Sequence, residues 1–170
     1  MQEMTAEEIQ RLKTAKFADD VTIGHPPRNT FMPRNLQLKK KELPAGSKPS
    51  RPQLVLDSSN LQLFFKQDDQ FEQPFIEMRC KLYTTDCGFP SSTEGLIFSM
   101  MWVNMLNESQ REMQYMGGLA GIKSQIAPRG DHILITFDSY NDQVENFVAE
   151  FFKNLQNFEC SEAKYETIRD

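Results

Sequence analysis

An α+β fold, an antiparallel sheet backed by helices with an N-terminal helix and an irregular strap ahead of it, is what this sequence predicts. Three observations carry that expectation. Val144, Phe147, Val148, Phe151, Phe152 and Leu155 fall at i, i+3, i+4, i+7, i+8 and i+11, one wide apolar stripe of a helix. Ile76, Met78, Cys80 and Leu82 alternate with Glu77, Arg79, Lys81 and Tyr83, the pattern of a half-buried strand. Ile122–Ala127 and His132–Phe137 read as two more strands around Pro128-Arg-Gly-Asp131, a hairpin signature.

The remaining elements follow in chain order. Thr5-Ala-Glu-Glu8 has the form of a capping box, and Ile9, Leu12 and Ala15 recur behind it, so a short helix is expected over 5–16. Residues 18–51 carry breaker signals at His25-Pro-Pro and Leu43-Pro-Ala-Gly-Ser-Lys-Pro49. So long a connection without its own structure is more natural as a strap laid across a neighbouring surface. Lys39, Lys40 and Lys41, with Arg34, Lys48 and Arg51, make it the one basic region, read as a solvated loop.

Leu54, Val55 and Leu56 form a short apolar segment. Leu61, Leu63 and Phe65 alternate with Gln62, Phe64 and Lys66, a strand with one buried face; Asp68, Asp69 and Pro74 then turn the chain. A capping box from Ser91 to Glu94 opens a long helix over 92–119. Its first half is apolar nearly all round, which predicts burial on more than one face. Gly117, Gly118 and Gly121 end it. Asn141 and Asp142 are placed to cap the last strong helix, and Ser161 a further start with Ala163, Tyr165 and Ile168 as its apolar positions.

Bulk properties narrow the function. The 170 residues suffice for one domain with a core, and 39% hydrophobic content is somewhat low for one that is self-sufficient. A net charge of −5 argues against nucleic acid as a partner. Cys80, Cys87 and Cys160 have no metal spacing and fit a reducing compartment; with neither a signal nor a spanning segment visible, a cytoplasmic location is expected and no membrane partner. His25 and His132 belong to no H-E-x-x-H or H-x-x-E-H pattern. The acidic pairs Asp68/Asp69 and Asn141/Asp142 read as turn and cap residues, and Cys80 as a packed small hydrophobe. No catalytic, cofactor-binding or metal-ligating residue is assigned.

Leu63-Phe-Phe-Lys-Gln-Asp-Asp69, followed by Phe71 and Pro74, resembles the insulin-degrading enzyme family, the pitrilysin-like zinc metallopeptidases with an inverted zinc motif. The resemblance continues in order through Pro27-Arg-Asn-Thr-Phe-Met-Pro-Arg-Asn-Leu36, Gly118-Leu-Ala-Gly-Ile122, Tyr140-Asn-Asp142 and Phe158 to Glu166. It implies α+β repeats enclosing a peptide chamber, with this chain a segment from the middle of a long polypeptide. The zinc ligands and glutamate base of such enzymes lie in a part with no counterpart here. The organisation expected is therefore a helix and strap over 1–52 and a middle-domain segment over 53–170, truncated at its C-terminus. The chain would be a non-catalytic portion of the chamber wall, inactive alone, with zinc bound elsewhere. Its partners would be the remainder of a peptidase or another subunit, and the peptide substrate. The alternative is a stand-alone structural or regulatory protein that binds a peptide or a partner chain through an unpaired sheet edge or the exposed apolar face of the long helix.

Overall fold

A computed structural model describes residues 5–14, 27–38, 51–68, 70–85, 92–160, 162, 165 and 166. The order is α1 (Ala6–Thr14), β1 (Gln53–Asp57), β2 (Gln62–Phe65), β3 (Phe75–Tyr83), α2 (Thr93–Ser109), α3 (Arg111–Leu119), β4 (Lys123–Arg129), β5 (His132–Tyr140) and α4 (Val144–Gln156). The architecture is α+β: β3, β5 and β4 form an antiparallel sheet in that order, and β1 pairs with β2 in a separate antiparallel ribbon.

The capping box of α1 forms as expected. Glu8 Oε2 accepts from the Thr5 amide at 2.8 Å, and Thr5 Oγ1 accepts from the Glu8 amide at 3.3 Å. In the sheet, Phe75 to Tyr83 run against Tyr140 to His132, and Lys123 to Arg129 against Asp138 to His132. The period of two then puts Ile76, Met78, Cys80 and Leu82 on one face with Ile133, Ile135 and Phe137. Helices α2, α3 and α4 cover that face. The Phe137 ring stands edge-on to Phe151 at 5.0 Å and 90°, and to Phe147 at 6.2 Å. Phe137, Phe147, Phe151 and Ile135 are wholly buried, each stabilising by on the order of 2–3 kcal/mol. The α4 stripe is the one its spacing predicts: Phe147 and Phe151 inward, Val148, Phe152 and Leu155 at its margins.

The described part of the strap, residues 27–38, lies on this same body. Phe31 is buried with its ring edge-on to Phe147 at 5.1 Å. Asn29 Nδ2 donates to the Met116 carbonyl at 2.7 Å, and the Arg34 and Asn35 amides donate to Asp142 Oδ2 at 2.6 and 3.0 Å. Asn141 Nδ2 donates to the Gln37 carbonyl at 3.0 Å. The neighbouring surface on which this segment lies belongs to the chain itself.

Several local expectations are corrected. The single helix over 92–119 is two, divided at Gln110 (φ −101°, ψ 5°), whose amide is shared between the Leu106 and Asn107 carbonyls. Its first half is buried on one face only: Ser99, Val103, Met105 and Leu106 are inside, while Leu96, Ile97, Phe98 and Met100 are exposed. The hairpin turn is the two residues Gly130 and Asp131, because Pro128 and Arg129 continue β4. Asn141 and Asp142 do not cap α4. Its N-cap is Gln143, left-handed at φ 64° with no side-chain cap bond, and Asp142 is engaged by the strap.

β2 has no buried face. Every residue of β1 and β2 is exposed, because in this ribbon no described element covers either side. The observed cap of α2 is Ser92, whose side chain accepts from the Gly95 amide at 3.1 Å; Ser91 lies outside the described residues. Ser161, Ala163 and Ile168 also lie outside them, as do Ala15 and the Lys39–Lys41 run. Gly117, Gly118 and Gly121 terminate α3 as read. The Ile122 amide returns to the Gly117 carbonyl and the Gly121 amide to that of Gly118, with Gly121 at φ 81°, a full Schellman closure.

Candidate functional site

The groups that could carry chemistry resolve into structural roles. His132 Nδ1 lies 2.6 Å from Asp131 Oδ1 at the β4–β5 turn, with its ring 5.8 Å from Tyr83. That hydrogen bond holds the Asp131 carboxyl below its ordinary range. Asp68 accepts the Gln70 and Phe71 amides at 3.0 and 3.1 Å, and those two donors, Gln70 first, lower its pKa. It closes the turn before β3. Asp69 and His25 lie outside the described residues. Cys80 sits half-buried on the core face, where burial pushes its thiol up. Among the described residues no three His, Cys, Asp or Glu side chains come together to hold a metal, so they provide no cradle for zinc.

What the fold does build is a strand edge, unpaired among the described residues, beside a groove. The Asn141 amide donates to the Pro74 carbonyl at 2.8 Å, and the Thr84 amide to the Asp131 carbonyl at 3.2 Å. These bonds bracket the β3–β5 ladder and fix its phase. Hydrogen-bonded pairs in an antiparallel ladder recur every two residues, so Ile76, Met78, Cys80 and Leu82 direct their N–H and C=O groups to β5. The same groups of Phe75, Glu77, Arg79, Lys81 and Tyr83 therefore point out from the sheet. By the same phase, Ser124, Ile126 and Pro128 are the residues of β4 turned away from β5. Proline has no N–H to offer, so the β4 edge is interrupted and the β3 edge is not.

Beyond the β3 edge lies a groove of about 1320 Å³, walled on the far side by the ribbon from Ser58 to Lys66. Its apolar lining includes Leu61, Leu63, Phe64, Phe65 and Phe71, with Phe152 of α4 at its floor. Phe64 is 59% exposed and Phe65 56%. The sheet's core layer leads into this groove: Ile135 and Phe137 of β5 are fully buried, while Cys80 and Met78 opposite them are only partly covered. The face of the sheet turned away from the helices carries Glu77, Arg79, Lys81, Lys123, Gln125, Thr136 and Asp138. Glu77 and Arg79 are ion-paired on it.

Residues 1–170 match the family model described as the middle or third domain of peptidase M16. The chain belongs to the M16 peptidase family. This M16 middle domain is 24% identical over 168 residues to the A-factor-processing enzyme of Saccharomyces cerevisiae, covering 97% of this chain and 16% of that protein. To the insulin-degrading enzyme of Homo sapiens it is 25% identical over 147 residues, 85% of this chain and 14% of the relative. The crystal structure of pitrilysin shares the fold with a TM-score of 0.74 at 15% identity, covering 88% of this chain and 15% of that one. The M16 middle domain thus spans about a sixth of the length of the curated relatives it matches.

Two of the sequence segments that carried the family resemblance prove to be one contact. The Pro27–Leu36 segment and the Tyr140-Asn-Asp142 corner meet through Asp142 and Asn141. An unpaired sheet edge is among the expectations, but its assignment to β3 was missed in the sequence. Its available signals were a proline in one edge strand and none between residues 75 and 83, together with apolar residues at both parities over 61–65.

Proposed function

We propose that this chain is the non-catalytic middle-domain segment of an insulinase-like zinc metallopeptidase, contributing a wall of the peptide chamber while zinc and the glutamate base come from elsewhere in the enzyme. The observation that carries the reading is the one-sided sheet. Helices cover one face, and the other presents closely spaced charges of both signs with Thr136 and Gln125 between them, Leu134 beside Lys81, and the ring pairs Phe75–Tyr140 and Tyr83–His132 at its two ends. Such a surface suits the polar backbone and mixed side chains of many different peptides. In this reading the region over 1–52 and the body over 53–170 serve one wall segment, a reading supported by the docking of residues 27–38 through Phe31 and Asp142. Three scattered cysteines without disulfide or metal spacing support a cytoplasmic location.

The test is a chimera in which residues 1–170 replace the matching segment of the yeast A-factor-processing enzyme. Zinc-dependent hydrolysis of a fluorogenic peptide by the chimera, with none by the 170-residue chain alone, is the expected result. A folded, zinc-loaded chimera without hydrolysis would overturn the reading. Zinc-dependent cleavage by the isolated chain would overturn the non-catalytic part of it.

A further inference from the structure

We propose that α2 is a lever hinged at Gln110, and that the buried carboxamide of Gln110 keeps the hinge from locking. Gln110 is 1% exposed, and neither its side-chain nitrogen nor its side-chain oxygen finds a hydrogen-bond partner among the described residues. A buried amide is ordinarily paired, because a dry, unbonded one forfeits its hydration with no return. The same residue divides α2 from α3, with neither glycine nor proline there to cause the break. Its backbone N–H is split between the Leu106 and Asn107 carbonyls, 3.1 and 3.2 Å away, so no single helical bond fixes the junction.

The two sides of this junction are held unequally. α3 is tied down at its far end: the Asn29 side chain donates to the Met116 carbonyl, Phe147 packs tightly on Gly117, and the Ile122 amide closes on the Gly117 carbonyl. α2 is buried toward the junction, at Val103, Met105 and Leu106, and before them only at Ser99. Leu96, Ile97, Phe98 and Met100, in its first turns, are exposed. At the helical rise, a turn of about 10° at Gln110 moves Leu106 by about 1 Å and Ser92 by about 5 Å. The core beside the fulcrum therefore repacks little while the free end travels far. Opening the junction by that amount lets water reach the Gln110 carboxamide, which the closed arrangement leaves unpaired. The side chain thus narrows the free-energy gap between the two arrangements and makes α2 a two-state element of the fold.

Gln110→Leu nearly keeps the volume and removes both unpaired atoms, and amide relaxation dispersion on the 170-residue chain reads the motion on the microsecond-to-millisecond scale. In the parent, amides over 93–105 show exchange and those over 112–119 do not. In Gln110→Leu the population of the open arrangement falls roughly tenfold, because closing the junction no longer leaves a polar group unsatisfied. The urea midpoint of the variant rises. Gln110→Met repeats the comparison in case the branch of leucine disturbs the packing. Exchange absent from the parent, or spread equally over both helices, overturns the hinge. A midpoint lowered in both variants means that the carboxamide is partnered in solution, and exchange unchanged in both means that it does not govern the motion; either overturns the proposal. Should the isolated chain not fold, hydrogen exchange on the chimera makes the same comparison. Segments over 93–105 exchange faster than those over 112–119 there, and Gln110→Leu slows the first set roughly tenfold while leaving the second unchanged. Equal rates in the two helices, or no slowing in the variant, overturn it.

Discussion

Phe147 packs against Gly117 so closely that a Cβ on the glycine would overlap the ring at Cε2 and stand 3.1 Å from Cζ. Phe147 is fully buried and also holds Phe31 and Phe137, so its ring has nowhere to retreat. Gly117 is therefore required for space. The adjacent Gly118 is exposed, and a Cβ added there would meet nothing within 4 Å. Gly117→Ala should destabilise the chain by about 1–3 kcal/mol despite alanine's better helix propensity. Gly118→Ala should stabilise by up to about 1 kcal/mol. Urea unfolding midpoints of the two variants shifting in opposite directions would bear this out; equal shifts would refute it.

Phe31 is the strap's anchor. Removing its ring exposes Phe147 and leaves a void at the edge of the core. Phe31→Ala is expected to cost about 3 kcal/mol. The Arg34 and Asn35 amides should lose exchange protection as the strap detaches from Asp142. Unchanged protection of those two amides in the variant would show that Phe31 is dispensable for docking.

The parts of the fold legible in the sequence are those whose side chains face one surface. The α4 stripe and the β3 alternation each bury a single face, so periodicity reports them. The strand over 61–66 was legible, but the two-sided exposure of the ribbon from 53 to 65 escaped because Leu54 and Phe64 pair on one side and Leu56 and Leu63 on the other, with Val55 as the extra residue of a bulge. An alternation rule assigns one of those sides to a core, and here both remain open. The division of the long helix escaped because Gln110 is neither glycine nor proline. Asn141 and Asp142 have the right chemistry for a cap, but cap choice is decided by where the chain before them goes, and here the strap takes the carboxylate. The β3 edge is only faintly signalled in the sequence for a different reason. Its direction depends on hydrogen-bond phase, which is set by pairing partners between about fifty and sixty-five residues away.

Ser92 gives a cleaner local prediction. Its hydroxyl satisfies the Gly95 amide, one of the four otherwise unpaired N–H groups at the start of α2. Ser92→Ala should cost about 1 kcal/mol, and Ser92→Asp should recover it. Thermal unfolding of the pair decides the point: an alanine variant as stable as the parent would show that the cap is redundant.

Asp142 makes strap docking depend on pH with a definite sign. The Arg34 amide, and then that of Asn35, donate to its carboxylate and hold its pKa below the ordinary 3.8. A carboxyl whose folded pKa is depressed stabilises the folded state fully above its unfolded value. That contribution is lost as pH falls through the folded one. The clamp should therefore be intact at neutral pH and through mild acid, and should release only below the ordinary carboxylate range. Asp142→Asn keeps an acceptor oxygen but loses the charge, so it should weaken the docking at neutral pH and remove its acid dependence. The amide shifts of Arg34 and Asn35, followed by NMR across the acid range, should titrate together with a midpoint below 3.8. They should not titrate in Asp142→Asn. A parent midpoint at or above the ordinary value would mean that the two donors do not hold the carboxylate in solution.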